Sequence, residues 1–163
     1  GRTGHIAFNE AGSTRHSRTR LVTLDPVTRR DAASSFFGEE NVPHHALTMG
    51  VGTILDARKV VLMAFGEHKA RIVQKAVEGP VSENVTASFL QQHPDATFLL
   101  DEAAAADLAA VARPWEIGPC EWSPALIRKA VIWLALKAGK GLLKLSEDDY
   151  RDHELNELLR EHG

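Results

Sequence analysis

Between residues 20 and 112, short apolar runs of strand type alternate with longer segments of helical periodicity, and no other feature of the chain restricts its fold as much. Residues 20–24 (Arg-Leu-Val-Thr-Leu), 46–49 (Ala-Leu-Thr-Met), 59–65 and 97–100 read as strands. The run 59–65 is apolar almost throughout, the pattern of a parallel strand covered on both faces. Helical stretches lie between the strands. One is opened by Pro26 and closed near Phe36-Phe37-Gly38, and short ones are predicted at 54–57 and 87–92. Another starts at Gly66, carries Ala70, Val73, Ala76 and Val77 on one face, and stops at Gly79-Pro80. An alanine-rich helix follows at 101–111. The class implied is α/β, assembled from βαβ units.

The pattern changes after residue 112. Arg113-Pro114-Trp115 breaks the last helix, Gly118-Pro119 makes a turn, and Ser123 is placed to cap an amphipathic helix reaching about residue 138. Two parts are therefore expected: 1–112 as the α/β part and 113–163 as a helical extension. The end of that extension, 146–163, is acidic and reads as helical and solvated. Nineteen Lys and Arg stand against 22 Asp and Glu, so no global positive field recruits nucleic acid, which is excluded as a partner. No apolar run approaches the roughly 20 residues of a membrane-spanning helix, so no membrane partner is expected. The single cysteine, Cys120, cannot form an internal disulfide and fits a reducing compartment, which points to the cytoplasm. The chain opens on Gly-Arg-Thr-Gly-His, already dense in functional residue types, and is expected to begin inside a longer polypeptide.

The densest chemistry is Gly4-His5-Ile6-Ala7-Phe8-Asn9-Glu10. An imidazole moves protons near neutral pH, and a carboxylate within reach fixes its tautomer and steadies the imidazolium form. His5 and Glu10 are candidates for such a pair. A separation of five residues lies off a shared helical face, so contact requires a loop or a turn. The competing reading is a hydrogen-bonded structural histidine with Glu10 on the surface. Residues 1–30 also carry six arginines, at 2, 15, 18, 20, 29 and 30, against Glu10 and Asp25, which makes this the side for an anion.

Four blocks occur in order: Gly-His-Ile-Ala-Phe-Asn-Glu at 4–10, Ser-Arg-Thr-Arg at 17–20, Ala-Leu-Thr-Met-Gly-Val-Gly-Thr-Ile-Leu-Asp-Ala at 46–57, and Gly-Glu-His-Lys-Ala at 66–70. Together they resemble the C-terminal half of the glucosamine-6-phosphate deaminases. The resemblance covers roughly residues 1–112, with Val77-Glu78-Gly79 and Asp101-Glu102 extending it. The sister 6-phosphogluconolactonases share the Gly-His step but continue differently, and Phe8-Asn9-Glu10 favours the deaminase branch.

The resemblance implies a partial, Rossmann-like open sheet, mostly parallel, with helices on both faces and the ligand outside the carboxyl ends of the strands. It implies amino-sugar metabolism: a phosphorylated amino sugar is ring-opened, a proton moves between C2 and C1, and glucosamine 6-phosphate gives fructose 6-phosphate and ammonia. No metal and no other cofactor is implied. His5 matches the ring-opening histidine, Glu10 its supporting acid, and Lys69 a lysine that holds the sugar phosphate. Ser13 and Arg20 match an allosteric phosphate site at subunit contacts of homo-oligomeric members. The Gly-Arg-Thr-Gly-His opening and the 114–122 run also resemble a longer subgroup in which a deacetylase-like domain follows.

The chain departs from the family at several places. Thr3 stands where an aspartate is usual, and Val22 stands where a lysine usually follows the allosteric arginine. Ser34-Ser35 replace a phosphate-binding arginine, leaving Arg30, one helical turn earlier, as its substitute. The N-terminal half, with a phosphate loop and the carboxylate that carries the C1/C2 proton, lies outside this sequence, so turnover is expected of the whole polypeptide and not of this piece alone. The alternatives are a non-catalytic sugar-phosphate-binding module, a lactonase-like hydrolase, and a structural segment on which another domain docks.

Other residues read as structural. His44, His45, His68 and His93 have no zinc-motif spacing. Cys120 sits beside Glu121, a neighbour that discourages a reactive thiolate. Trp115 and Trp122 read as apolar anchors of the extension, and Gly50-Val51-Gly52 as a tight turn that falls short of a phosphate fingerprint.

Overall fold

The computed structural model describes residues 1–162, with side chains through residue 160. It forms two compact units, Gly1–Leu108 and Ala109–Gly163. The sequence pattern changes at 113, a few residues past this division.

The first unit is α/β. Its elements are β1 (Arg20–Thr23), α1 (Pro26–Ala32), β2 (His45–Thr48), α2 (Val51–Leu55), β3 (Val60–Ala64), α3 (Ala70–Val77), β4 (Ala96–Leu100) and α4 (Glu102–Ala105), joined by short 3-10 turns. The predicted helix at 87–92 is one of these, the 3-10 segment Thr86–Gln92. β3 and β4 are parallel, with Val60 opposite Ala96 and Ala64 opposite Leu100, and the crossover runs through α3 and that 3-10 segment. β1 and β2 instead pair antiparallel, Arg20 opposite Thr48 and Thr23 opposite His45. The mostly parallel order therefore holds for one strand pair and not for the other. The reason is where the connection closes: Leu24 N–H donates to the His44 carbonyl at 2.9 Å, so the chain returns at the carboxyl end of β1 and can only run back alongside it.

The core of this unit lies under the inner face of β3 and β4. Ile6, Val51, Ala76, Ala87, Phe89 and Leu90 are buried there, with Val60, Leu62, Ala96 and Phe98 packed against them. The outer face is different. Val61, Met63 and Leu99 are 52%, 64% and 51% exposed, so the strand expected to be covered on both faces is covered on one by the described residues.

The second unit is helical: α5 (Ala109–Ala112), α6 (Pro124–Ala138), α7 (Glu147–Asp152) and α8 (Asn156–His162). The predicted cap is present, Ser123 Oγ accepting Leu126 N–H at 3.2 Å, and Gly139 ends α6 in the left-handed conformation. Ser146 and Asp149 form a capping box on α7, and Lys140 holds the Asp149 carboxylate at 2.6 Å. Trp115 stacks on Trp122 and meets Trp133 edge-on over the buried Ala130 and Leu134. The acidic tail is helical but not wholly solvated, because Leu155 and Leu158, spaced three apart, enter this core. No helix among the described residues is long and apolar enough to cross a membrane.

Candidate active site

Residues 4–10 form a loop held open by its neighbours. Gly4 has φ +79°, and a Cβ there would meet Ile72 and Val85 at 2.8 Å, so only glycine fits without a shift. Its carbonyl accepts Ala87 N–H at 2.9 Å. Asn9 is fully buried, and its Nδ2 donates to the carbonyls of Ile6 (2.9 Å) and Met49 (2.7 Å). Thr86 Oγ1 donates to the Asn9 carbonyl at 2.7 Å, and Phe8 N–H donates to Thr48 Oγ1 at 3.0 Å. These bonds offset the strain of Ala7, which sits at φ +48° at a cost of roughly 1–2 kcal/mol. The loop is thereby tied to the end of β2 and to the 86–92 segment.

That loop brings His5 and Glu10 together across five residues. His5 Nδ1 lies 2.8 Å from Glu10 Oε2, and the two side chains are 10% and 16% exposed. The other carboxylate oxygen, Oε1, accepts the Thr28 hydroxyl at 2.6 Å, and Thr3 Oγ1 approaches Oε2 at 3.5 Å. Burial pushes the Glu10 carboxyl up. The hydrogen bonds from Thr28 and His5, the charge of His5 and the backbone at Asp25 outweigh it and hold the group below its ordinary value. An ionised carboxylate on Nδ1 favours the tautomer with a proton there, which leaves Nε2 as the basic nitrogen of the ring.

Thr28 was not foreseen from sequence. The signal available is the Asp-Pro pair before it: Asp25 caps α1 by accepting Val27 N–H at 2.7 Å, and Pro26 opens the helix, which puts position 28 in the first turn. The Asp31 carboxylate, three residues further along α1, pairs with Arg2. One helix thus holds the 1–10 segment at two points.

His5 and Lys69 line the same cavity, of about 120 Å³, with Gly4, Leu62, Ile72 and Phe98 among its walls. Lys69 is delivered by the turn after β3. Gly66 adopts φ +89° there, and its N–H donates to the Asp101 carboxylate at 3.0 Å, while Asp101 also caps α4 through Ala104 N–H at 2.8 Å. The strand ends are thereby locked, and Lys69 stands at the N-cap of α3. Arg30 is elsewhere: it lines a neighbouring depression with Arg2, Thr3 and Val27. Ser13 and Arg20 form a third group, with Arg20 donating to Ser13 Oγ at 2.8 Å and to Asn9 Oδ1 at 3.0 Å, so this arginine braces the buried asparagine of the His5 loop.

The remaining candidates are accounted for by local structure. His93 is buried, its Nε2 2.8 Å from the Ala57 carbonyl and its Nδ1 accepting Asp95 N–H at 3.1 Å. No group of His, Cys, Asp and Glu with metal-holding geometry occurs among the described residues. The turn at Gly50-Val51-Gly52 is filled by the chain itself: Gly52 N–H donates to the Ser17 carbonyl at 3.0 Å, and a Cβ on Gly50 would lie 2.1 Å from that oxygen.

Comparison with known proteins finds no matching family model. The chain is 47% identical over 159 residues, 98% of its length, to a glucosamine-6-phosphate deaminase-like protein of Bacteroides thetaiotaomicron, of which it covers 24%. It is 56% identical over 105 residues to the glucosamine-6-phosphate deaminase of Rhodopirellula baltica, which is 64% of this chain and 42% of that one. Among solved structures, a monomeric glucosamine-6-phosphate deaminase of the NagB superfamily matches with a TM-score of 0.64 and 46% identity, over 66% of this chain and 44% of the other. The chain spans less than half the length of each of these three relatives. It is thus related in sequence and in fold to the glucosamine-6-phosphate deaminase family, of whose members it spans a part.

Proposed function

We propose that this chain is the ring-opening and phosphate-holding portion of an enzyme that deaminates and isomerises a phosphorylated amino sugar, glucosamine 6-phosphate, to fructose 6-phosphate and ammonia. The observation that carries the reading is one cavity lined by both His5 and Lys69, with Glu10 bonded to the far nitrogen of the imidazole. In this reading Glu10 keeps the His5 proton on Nδ1, and Nε2 gives a proton to and takes one from the sugar ring oxygen as the ring opens. The Lys69 ammonium holds the phosphate at the other end of the substrate as a point charge. Arg30, on its separate depression, assists only if its side chain swings toward Lys69.

The cavity volume supports a partial site. About 120 Å³ is well below the roughly 300–1,000 Å³ of complete small-molecule pockets, which fits a site that further chain completes. The open apolar face of Val61, Met63 and Leu99 is what such additional chain, the rest of a deaminase-length polypeptide, would cover. The proton shift between C1 and C2 is assigned to that remainder, and this chain alone is expected not to turn over.

The test is ammonia release from glucosamine 6-phosphate by a chimera in which residues 1–108 replace the matching segment of the Rhodopirellula deaminase, with the isolated chain as comparison. Turnover by the chimera that His5→Asn abolishes supports the reading, and turnover indifferent to His5→Asn overturns it. Calorimetric binding of the sugar phosphate by a chimera that releases no ammonia would support instead a binding module, the reading favoured by the polar Thr3 beside Glu10. Hydrolysis of 6-phosphogluconolactone would support a lactonase.

A further inference from the structure

We propose that Thr28 is a positioning residue of this site: its hydroxyl pins the Glu10 carboxylate so that the oxygen left over meets Nδ1 of His5. The inference rests on the functional reading above only for its consequence in catalysis, since the arrangement itself belongs to the folded chain.

The geometry is a division of labour between the two carboxylate oxygens. Oε1 accepts Thr28 Oγ1 at 2.6 Å and Oε2 faces His5 Nδ1 at 2.8 Å. A carboxylate held at one oxygen alone swings about its last side-chain torsion, which is broad. Held at both, its plane and its direction are set. The contact from Thr3, at 3.5 Å, is at the outer limit of a hydrogen bond and restrains little. Among side chains Thr28 is therefore the firm restraint on Glu10 apart from the histidine it serves, and the backbone at Asp25, which opens the same helix, adds to it.

The restraint is stiff because it comes from a braced helix. Asp25 caps α1, Pro26 fixes its first turn, and Arg29, the residue after Thr28, donates to the carbonyls of Glu39 at 2.9 Å and Val42 at 3.2 Å. Asp31 on the same helix holds Arg2. Thr28 is itself β-branched, with few rotamers to lose. It also borders, with His5 and Phe8, a second depression that Lys69 does not line, and it is not among the residues that line the cavity shared by His5 and Lys69.

The chain itself, without substrate, gives the primary test. Imidazole ¹⁵N shifts report the His5 tautomer, and the Glu10 carboxyl ¹³C shift reports its titration. The wild type is expected to hold the proton on Nδ1. Thr28→Val, which keeps the shape and removes the hydroxyl, is expected to give a mixed tautomer and a Glu10 carboxyl that titrates at higher pH, and Thr28→Ser is expected to restore both. Thr28→Ala serves where the valine variant does not fold, the amide spectrum reporting the fold. Unchanged tautomer and titration in a folded variant lacking the hydroxyl overturn the proposal. In the active chimera, kcat is expected to fall roughly 10- to 100-fold for Thr28→Val with KM little changed, in line with the loss of a hydrogen bond to a charged group. If the chimera has no deaminase activity while the tautomer effect is present, the functional reading fails and the positioning role stands.

Discussion

The Glu10 carboxylate stands 2.8 Å from Nδ1 of His5, so the imidazole meets its acid through one ring nitrogen and keeps Nε2 for other partners. An imidazole so held can act through Nε2 without first reorienting. In a polypeptide that releases ammonia, His5→Asn is expected to lower kcat by roughly 10²- to 10⁴-fold, the usual contribution of a positioned acid/base. Saturation kinetics check it, and a loss confined to KM would contradict the role.

Lys69 predicts the opposite split. If its ammonium only holds a phosphate remote from the reacting carbons, Lys69→Met removes binding common to ground and transition states, so KM rises and kcat is retained. A rise of roughly 10- to 100-fold is expected for the loss of a charge-assisted contact. The comparison to make is with Arg30→Met, which is expected to have a smaller effect because Arg30 lies outside the cavity that Lys69 lines.

Glu10 also makes folding pH-dependent. Its carboxyl is held below the ordinary 4.5, so the folded state binds this proton less readily than the unfolded state. The stabilisation is fully present above that ordinary value and is lost as pH falls through the folded one. Denaturant unfolding is expected to show the wild type more stable than Glu10→Gln near pH 7, with a smaller gap once the pH has fallen well below the ordinary 4.5. A gap of equal size at both would mean that Thr28 and His5 bond the amide as well as the carboxylate.

Strand and helix positions were legible in the sequence because periodicity reports burial, and β3, α3 and α6 fall where the apolar spacing puts them. The direction of β2 was not legible, since residues 46–49 have the same composition whether the chain returns at one end of β1 or the other. The His5 loop was recognisable from its residues, while its partner Thr28 was not, because a threonine 18 positions on acquires meaning only when a helix turns it toward a carboxylate. The pairings of the arginines in the first 30 residues were not legible either. Arg2, Arg18, Arg20 and Arg29 are spent on Asp31, Asp56, Ser13 with Asn9, and backbone carbonyls, and charge counting cannot see such pairings.

Gly50 tests the support beneath that loop. The backbone of Ser17 and Arg18 crosses so close that a Cβ at Gly50 would sit 2.1 Å from the Ser17 carbonyl oxygen, and backbone cannot yield as a flexible side chain does. Gly50→Ala is expected to cost about 1–3 kcal/mol, typical of overpacking, although the conformation there suits alanine. Chemical denaturation followed by far-UV circular dichroism checks it. A stability within 0.5 kcal/mol of wild type, roughly the range of neutral surface changes, would show that the 15–18 segment moves aside freely.

All three tryptophans of the chain, Trp115, Trp122 and Trp133, lie in the second unit around Leu134, which is fully buried. Intrinsic fluorescence therefore reports the packing of that unit alone. Leu134→Ala removes methyl groups from under the Trp115 ring system and leaves a cavity that the stacked Trp115 and Trp122, 5.9 Å apart, have little freedom to fill. The expected cost is about 2–5 kcal/mol, read as a lower denaturant midpoint of the fluorescence transition with an unchanged slope. A loss below about 1 kcal/mol would mean that the indoles collapse into the space, and near-UV circular dichroism, which senses the stacking, would then change with the substitution.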